Sequence, residues 1–377
     1  MTGILPGVQI VPADPVLPAS FDEYRASVDA ELFAFLDDAR IEVAAMAPDA
    51  VLLTDELVRL LRAGGKRLRP LFCYWGHRAG GGTGGAAIAR AGAAVELLHT
   101  SAIIHDDVLD HAVQRRGEPT SHRALASRGD VAAPTGTAAA ILAGDLAHAL
   151  ADRLLAESGF SPERVVAAFA HFNRMRVEAA SGELLDVLWA KRTSGSIERE
   201  SVRAGGWWLD EASARTVASL KAASYTVTGP LLMGATLAGA PPDVLDVLRR
   251  YGRPLGEAFQ LRDDVLGTFG DAVVTGKDRD SDLREGKLTT ILAKAHRMGS
   301  RSARRLIEDR MGNWEMSPED VDAIRDAMRT SGALAETLEL IASLANRARS
   351  ALSVGRLDAE ARVALTSLAD LVATRDA

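Results

Sequence analysis

The sequence between residues 96 and 110 reads ELLHTSAIIHDDVLD, an apolar segment that ends in a cluster of aspartates. Apolar side chains recur through this region at three- and four-residue spacing, as in Val95, Leu98 and Ala102. This period is that of an α-helix with a buried face, whereas a half-buried strand would alternate at every second residue. The segment therefore predicts a long helix in the core of the protein.

The C-terminal turn of this predicted helix carries three carboxylates. Asp106 and Asp110 are four residues apart and share a face, with Asp107 alongside. Like charges repel one another, and the negative end of the helix dipole makes the position still less favourable. Mg²⁺ relieves both effects, because it prefers oxygen ligands and leaves positions open for substrate phosphates. A solvated acidic helix end is the alternative interpretation, and this motif by itself does not separate the two.

A second acidic segment, QLRDD at residues 260–264, follows another apolar helical pattern. Gln260 and Asp264 are four residues apart, so they are neighbours on one helix face, with Asp263 beside them. Pro254 lies within the preceding apolar pattern, and we expect a kink or a restart of the helix there. Two acidic segments on separate helices can hold one metal–diphosphate cluster between them, which makes a chance repeat the weaker explanation.

Basic side chains accompany both acidic segments. The sequence GGKRLRP at residues 64–70 combines glycines, which let a ligand approach the backbone, with Lys66 and Arg69, which can bind an anion. Arg115 and Arg116 follow the first acidic segment. Further basic residues near the later elements are Lys221, Lys277 and Lys287. Each of them alone would be a solvated surface charge, but together with the carboxylates they predict a site for two diphosphates, one held through metal and one held directly.

The composition limits the classes of protein to consider. The chain has 377 residues, 47% hydrophobic and 25% charged, as in ordinary globular proteins. Its formal net charge of −7 argues against nucleic acid as the main partner. The single cysteine, Cys73, excludes an intrachain disulfide framework and CxxC zinc sites, which fits a reducing compartment. We find no signal peptide and no run of eighteen apolar residues, so we expect a cytoplasmic protein without stable membrane insertion.

Helical patterns extend over most of the chain. Residues 1–20 contain four prolines and little periodicity, which predicts a flexible or draped N-terminal arm. Beyond them, helix starts are marked by a serine before proline at Ser161 and Ser317, and convincing strand patterns are missing. The glycine-rich residues 80–85 lack the lysine ending of a phosphate-binding loop, so we interpret them as a connector. We predict an all-α fold over residues 21–377, a single large helical bundle around a central apolar cavity.

Several ordered motifs of the chain resemble those of the trans-isoprenyl diphosphate synthase (polyprenyl synthetase) family, and of bacterial geranylgeranyl diphosphate synthases in particular. The segments that carry the resemblance are GGKRLRP at 64–70, ELLHTSAIIHDDVLD at 96–110, RRG at 115–117, KAASYT at 221–226, FQLRDDVLG at 259–267 and DLREGK at 282–287. The resemblance implies the all-helical isoprenoid synthase fold and a homodimer. It also implies an enzyme that condenses isopentenyl diphosphate head to tail with an allylic diphosphate.

The resemblance further implies a metal centre on the allylic diphosphate. The residues that would bind the metal are Asp106, Asp107, Asp110, Asp263 and Asp264. The centre would hold two or three Mg²⁺ ions, with Mn²⁺ as a possible substitute. Metal and fixed positive charge would stabilise the diphosphate that leaves when the allylic C–O bond breaks.

Two sets of residues would contact the substrates by the same resemblance. Those on the allylic diphosphate would be Arg115, Lys221 and Lys277, and those on isopentenyl diphosphate would be Lys66, Arg69, His99 and Arg116. Gln260 would face the reacting carbons, Lys287 would add a substrate contact, and Asp186 would line the cavity. The catalytic candidates are therefore Lys221, Gln260, Arg115 and Lys277. Released diphosphate would accept the final proton, so the family implies no dedicated base.

The chain departs from the family pattern at three positions. Gly267 stands where many members carry a third aspartate of the second motif, which puts full metal occupancy in doubt. Asp271, in the loop that follows, is the candidate to substitute for it. Ala222 follows Lys221 where threonine is common, and Glu183 stands where glutamine is frequent. None of these changes removes a group that the chemistry requires.

Product length should depend on the helix that carries Asp106. The substrate tail would run from the metals towards the helix N-terminus, where Ser101 and Ala102 lie about one turn away, roughly 6–7 Å. Both residues are small, whereas family members with aromatic residues there tend to stop at fifteen carbons. Leu98, with Leu97, would form a floor one turn further on. We expect a C20 product, geranylgeranyl diphosphate.

Two other functions compete with this one. A class I terpene cyclase is also helical and Asp-rich, but it handles one diphosphate and has no use for the set formed by Lys66, Arg69 and His99. Its usual second metal motif, built around Asn, Ser/Thr and Glu, is not visible in this sequence. A non-catalytic partner subunit of another synthase is the second alternative, and the intact first acidic motif argues against it.

Overall fold

The computed structural model describes residues 19–128, 133–193, 210–270, 280–354 and 357–374. Helices make up nearly all of the first half of this chain. They are α1 (Ala19–Met46), α2 (Val51–Arg62), α3 (Leu68–Ala79), α4 (Ala86–Leu109), α5 (Ser121–Ser127), α6 (Ala133–Ala156) and α7 (Pro162–Thr193). A 3₁₀ turn spans Pro48–Ala50. The strands described are β1 (Gln114–Arg115) and β2 (Glu118–Pro119), a short antiparallel hairpin.

The second half of the chain is helical as well. The helices are α8 (Glu211–Ala218), a π-helical segment (Ser219–Thr228), α9 (Gly229–Ala238), α10 (Pro242–Phe269), α11 (Ser281–Glu285), α12 (Thr290–Met298), α13 (Arg301–Arg310), α14 (Pro318–Thr330), α15 (Ala333–Leu352) and α16 (Ala359–Thr374). The predicted all-α fold is confirmed. The predicted N-terminal arm falls mainly on residues 1–18, which lie outside the described residues; α1 begins at Ala19.

The helix starts read from the sequence are those of the structure. α14 begins at Pro318, and the Ser317 side chain accepts a hydrogen bond of 3.2 Å from the backbone N–H of Asp320. α7 begins at Pro162, directly after Ser161. In both cases proline takes the first helical position, where its missing N–H costs nothing. The glycine-rich residues 80–85 connect α3 to α4, as predicted.

Helix α4 is the central helix of the fold. Of the described helices it alone is long and apolar enough to cross a membrane, but 72% of its apolar window is buried within the protein. It packs against α6, α3 and α1. Leu97 and Ile104 are completely buried along it. We therefore interpret its hydrophobicity as that of a core helix, and its acidic C-terminal turn is held on a rigid support.

Helix α10 is continuous through Pro254, so of the two expected outcomes the restart is wrong and the kink stays a prediction. Pro254 lies inside the helix and is buried. A proline in a helix interior costs roughly 3 kcal/mol, because one backbone hydrogen bond is lost. The apolar face of α10, with Tyr251 and Leu255 completely buried, packs against the π segment and α15. That burial offsets the proline, and α10 carries the second acidic motif at its C-terminal end.

Candidate active site

The structure joins carboxylates from two helices into one cluster. Asp106 lies in the last turn of α4, Asp110 directly follows that helix, and Glu183 lies on the facing surface of α7. One carboxylate oxygen from each of these residues lies within 4.8 Å of the other two. The cluster therefore contains two of the predicted metal ligands and one residue that the sequence marked only as a departure from the family.

Lys221 is the basic centre of this cluster. Its Nζ lies 3.2 Å from Asp106, 3.0 Å from Glu183 and 2.7 Å from Asp186. Burial by itself would lower the pKa of Lys221, but the neighbouring carboxylates raise it well above its usual value. Lys221 thus stays an ammonium group, and its predicted contact with the allylic diphosphate stays a prediction.

A close helix crossing brings Lys221 to α7. Any Cβ at Gly182 would collide with the backbone of Lys221, so only glycine allows the π segment to approach α7 this closely. The adjacent Glu183 is thereby placed beside the Lys221 ammonium. Burial raises the pKa of Glu183, and Asp106 and Asp186 raise it further while Lys221 opposes them. A π-helical turn at this point is typical of functional sites, because it re-aims side chains within a helix.

Arg115 approaches the cluster from the β-hairpin. Its Nε lies 2.8 Å and 3.0 Å from the two carboxylate oxygens of Asp107, and its guanidinium also donates to Asp106 at 3.0 Å. Asp107 is 1% exposed. In this structure Asp107 holds Arg115 in place, and its predicted role as a metal ligand stays a prediction. Arg115 lies where its charge can be shared with a diphosphate on the Asp106 side.

Lys287 closes the other side of the cluster. It follows Gly286 after α11, and its Nζ lies 2.5 Å from Asp110 and 3.0 Å from Glu285. The neighbouring carboxylates raise the pKa of Lys287 against the opposing effect of burial. Lys277, the remaining predicted contact of the allylic diphosphate, lies outside the described residues.

Arg69 and His99, two of the residues predicted to bind isopentenyl diphosphate, lie together in a second basic site. The guanidinium of Arg69 donates to the Tyr225 hydroxyl at 2.8 Å and to Thr226 Oγ1 at 2.9 Å, and it stacks 4.4 Å from the centre of the Tyr225 ring. His99 Nδ1 lies 3.3 Å from the same hydroxyl. The Nε of Arg69 is buried without a hydrogen-bond acceptor among the described residues. A bound anion could accept a hydrogen bond from this donor.

The electrostatics of this second site suit an anion. Burial lowers the pKa of His99 well below its usual value, and Arg69 and Arg116 lower it further. The imidazole is therefore neutral and can hydrogen-bond in either tautomer. Lys66 is exposed, and the guanidinium of Arg116 donates to the carbonyl of Gly64 in the same segment.

Arg67 has a structural role that sets the loop before α3. It is 5% exposed, its Nε donates to Asp29 at 2.8 Å, and one of its terminal nitrogens donates to Glu96 at 2.9 Å. Its backbone is left-handed, with φ of 49°. These contacts tie the GGKRLRP segment to α1 and α4, so that the neighbouring Arg69 faces the site.

The second acidic motif lies at the end of α10. Gln260 donates a 2.7 Å hydrogen bond to Asp264, as their spacing predicts. Burial raises the pKa of Asp264 to about 8, with Asp282 and Asp263 contributing while the Gln260 hydrogen bond opposes. A Cβ at Gly267 would lie 2.8 Å from Oδ2 of Asp282. A carboxylate from α11 thus lies where a side chain at this position would begin. Asp271, the substitute expected from the sequence, lies outside the described residues.

The residues predicted to set product length, Ser101, Ala102 and Leu98, do not all lie on the same face of α4. Ala102 is separated from Asp106 by roughly 40° around the α4 axis, whereas Ser101 is separated from it by roughly 140°. Ser101 instead shares a face with His105, whose Nε2 lies 3.2 Å from the carbonyl oxygen of Ile141 on α6. Ser101 and Leu98 are buried, at 2% and 6% exposure. Ala102 is the one on the Asp106 face.

The donor set fits a hard divalent cation. The clustered ligands are carboxylate oxygens, which Mg²⁺ and Mn²⁺ prefer, and no thiol or imidazole belongs to the described cluster. Glu183 and Tyr225 are the site residues whose roles sequence reasoning missed. For Glu183 a signal was present, since Glu183 and Asp186 are three residues apart and lie on one helix face.

Comparison with known proteins shows the family to which the chain belongs. The family model described as polyprenyl synthetase matches residues 51–328. The geranylfarnesyl diphosphate synthase of Aeropyrum pernix is 33% identical over 347 residues, covering 90% of this chain and 99% of the relative. The geranylgeranyl diphosphate synthase of Sulfolobus acidocaldarius is 33% identical over 283 residues, covering 74% of this chain and 78% of the relative.

A solved structure extends the agreement to the fold. The geranylgeranyl pyrophosphate synthase from Corynebacterium glutamicum, complexed with isoprenyl diphosphate and magnesium, superposes with a TM-score of 0.83 at 33% identity. The superposition covers 95% of this chain and 99% of that one. The chain therefore belongs to the polyprenyl synthetase family, the trans-isoprenyl diphosphate synthases that its ordered motifs resemble.

Proposed function

We propose that this enzyme condenses isopentenyl diphosphate head to tail with an allylic diphosphate and releases geranylgeranyl diphosphate as its main product. One observation carries the proposal: the π segment presents Lys221 to the carboxylate cluster and, about one turn later, Tyr225 to Arg69 and His99. An anion site built on metal ligands and an anion site built on direct donors are therefore neighbours. That arrangement supports two diphosphates bound side by side.

The allylic diphosphate belongs to the carboxylate side. Asp106 and Asp110 would hold Mg²⁺, with Asp263 and Asp264 supplying the opposite side, and the bound metal would stabilise the leaving diphosphate. Arg115, Lys221 and Lys287 surround the same place with fixed positive charge. Charges positioned before the reaction need no reorganisation when the C–O bond breaks. We propose two or three Mg²⁺ ions per site, replaceable by Mn²⁺.

Isopentenyl diphosphate belongs to the Arg69 side. Arg69, His99, Arg116 and Lys66 would bind its diphosphate, which orients the double bond towards the allylic C1 and replaces a bimolecular encounter. The C1–O bond breaks, the terminal alkene carbon of isopentenyl diphosphate forms the new C–C bond, and the released diphosphate accepts the proton lost from C2. Gln260, held by Asp264, would face the reacting carbons.

Product length is the finer part of the proposal. Of the two relatives described above, one is named for a geranylfarnesyl and the other for a geranylgeranyl product, so family membership does not set the length. Support for C20 comes from Ala102, a small residue on the Asp106 face, and from the buried Leu98 beyond it.

The assembly and compartment are proposed from surface and composition. Helices α6 and α7 expose large apolar side chains, among them Leu142 at 56%, Val166 at 71% and Leu184 at 59%. An apolar helical surface of this kind supports the proposed homodimer. A free, buried Cys73 supports a reducing compartment, and we propose the cytoplasm.

Product analysis tests the proposal. Purified protein is incubated with Mg²⁺ and dimethylallyl, geranyl or farnesyl diphosphate, with and without isopentenyl diphosphate, and the products are separated by chromatography. We expect C20 diphosphate only when isopentenyl diphosphate is present. A hydrocarbon formed without it would identify a terpene cyclase instead, and inactivity of the purified chain with every starter would support a non-catalytic partner subunit.

A further inference from the structure

Glu183 stands where many family members carry glutamine, and this exchange adds a negative charge to the site. Its side chain projects from α7 towards the last turn of α4 and is 21% exposed. Glu183 therefore faces Asp106 and Asp110 across the site from a separate helix.

The distances between the carboxylate oxygens are compatible with one shared cation. One oxygen from each of Asp106, Asp110 and Glu183 lies within 4.8 Å of the other two. In an octahedron with metal–oxygen bonds of about 2.1 Å, two ligand oxygens are about 3.0 to 4.2 Å apart. At least two of the three oxygen pairs must occupy adjacent positions, so a pair at the 4.8 Å limit would close by up to about 1.8 Å to reach that geometry.

The carboxylates and cations around Glu183 also bear on whether a metal ion could bind there. Lys221 contacts Asp106, Glu183 and Asp186, all within 3.2 Å. Arg115 contacts Asp106 and Asp107, and Lys287 contacts Asp110. The carboxylates of the site still outnumber these three cations, and a divalent ion would reduce the excess of negative charge. Asp186 is the carboxylate nearest to Lys221, at 2.7 Å, so Lys221 keeps a partner if Glu183 turns to the metal.

We propose that Glu183 is a third carboxylate ligand of the metal ion held by Asp106 and Asp110, so that this ion is bound by α4 and α7 together before any diphosphate arrives. The inference rests on the proposed function, because it deepens the same site. Its consequence is chemical. The protein should bind one divalent ion on its own, where a glutamine at this position would leave the ion dependent on substrate phosphates.

Metal binding to the substrate-free, full-length protein tests this directly. Mn²⁺ is titrated into metal-free protein, and free Mn²⁺ is followed by its electron paramagnetic resonance signal. For Glu183→Gln we expect the Kd of the tightest site to rise by about tenfold or more relative to wild type. The matched control is Glu178→Gln, on the same helix, where Glu178 pairs with Arg174 at 2.7 Å, accepts a hydrogen bond from Ser224 that a glutamine oxygen can also accept, and lies outside the cluster. Its Kd should stay within about twofold of wild type.

The opposing result is equally clear. If Glu183→Gln and Glu178→Gln bind Mn²⁺ alike, Glu183 is only a counter-ion of Lys221 and the proposal is overturned. Circular dichroism checks the fold of each variant. Should Glu183→Gln not fold, Glu183→Asp keeps the charge but withdraws the carboxylate, and an unchanged Kd in that variant would also overturn the proposal.

This experiment is independent of the prenyltransferase proposal, since no substrate is present. A wild-type protein that binds Mn²⁺ through Glu183 but forms no prenyl product would contradict the proposed function alone. A protein that forms C20 product but binds Mn²⁺ equally well as Glu183→Gln would contradict the Glu183 proposal alone.

Discussion

At Gly267, a carboxylate that is missing from α10 has a counterpart on α11. Many family members have an aspartate at the corresponding end of the second acidic motif, and this chain has none. The carboxylate of Asp282 occupies the space above Gly267 and raises the pKa of Asp264, although burial raises it more. Negative charge is thus supplied at the same place by α11. The sequence alone indicates that a carboxylate is missing at Gly267, whereas the structure has the Asp282 carboxylate beside that position.

Restoring the aspartate should therefore harm the protein. Gly267→Asp would place a second carboxylate against Asp282, and the crowding and charge repulsion should destabilise the fold by about 1–3 kcal/mol. The measurement is the melting temperature in metal-free buffer. In the double variant Gly267→Asp/Asp282→Asn, one charge is removed, and we expect most of the loss to be recovered. Additive losses in the double variant would show that the two positions do not interact.

Helix α4 shows why spacing along a sequence does not by itself identify a cavity wall. Ser101 and Ala102 are adjacent and both small, and the sequence treats them alike. On the helix they diverge by about 100°, so Ala102 shares the face of Asp106 while Ser101 shares the face of His105, towards α6. The substrate tail, if it follows Asp106, passes Ala102 first.

The two positions should consequently respond differently to the same substitution. Ala102→Phe should shorten the product, from C20 towards C15, because the ring would project into the path of the tail. Ser101→Phe should mainly disturb the α4–α6 packing and lower the melting temperature, since over-packing a core costs about 1–3 kcal/mol. Product chromatography and thermal unfolding of both variants check this. A shortened product from Ser101→Phe with unchanged stability would place the tail on the α6 side.

At the scale of the whole molecule, the site exists only where several elements meet. Asp106 comes from α4, Glu183 from α7, Lys221 from the π segment and Lys287 from the connection after α11. The charged side chains of each element are not balanced within that element, and bound metal and diphosphate would balance the remaining charges. Ligand binding should accordingly stabilise the fold as a whole.

Metal and diphosphate together should raise the melting temperature. At ligand concentrations about 100 times Kd, linkage adds roughly 2.7 kcal/mol of stability. Thermal unfolding is measured with Mg²⁺, with inorganic diphosphate, and with both, and EDTA should reverse the effect. The control Asp106→Asn should lose most of the gain. Equal stabilisation of wild type and Asp106→Asn would mean that the metal–diphosphate complex binds elsewhere.

The sequence alone determined the fold class, the helix starts and the family, because periodicity, capping residues and ordered motifs are local properties of the chain. It also named most charged residues of the site, including Asp106, Lys221 and Arg69. The tertiary structure decided how these residues are paired. Asp107 forms a salt bridge with Arg115, and Glu183 lies in one carboxylate cluster with Asp106 and Asp110. Those pairings depend on how closely two helices approach, as at Gly182. The distance between two helices is set by tertiary packing and cannot be calculated from residue spacing along the chain.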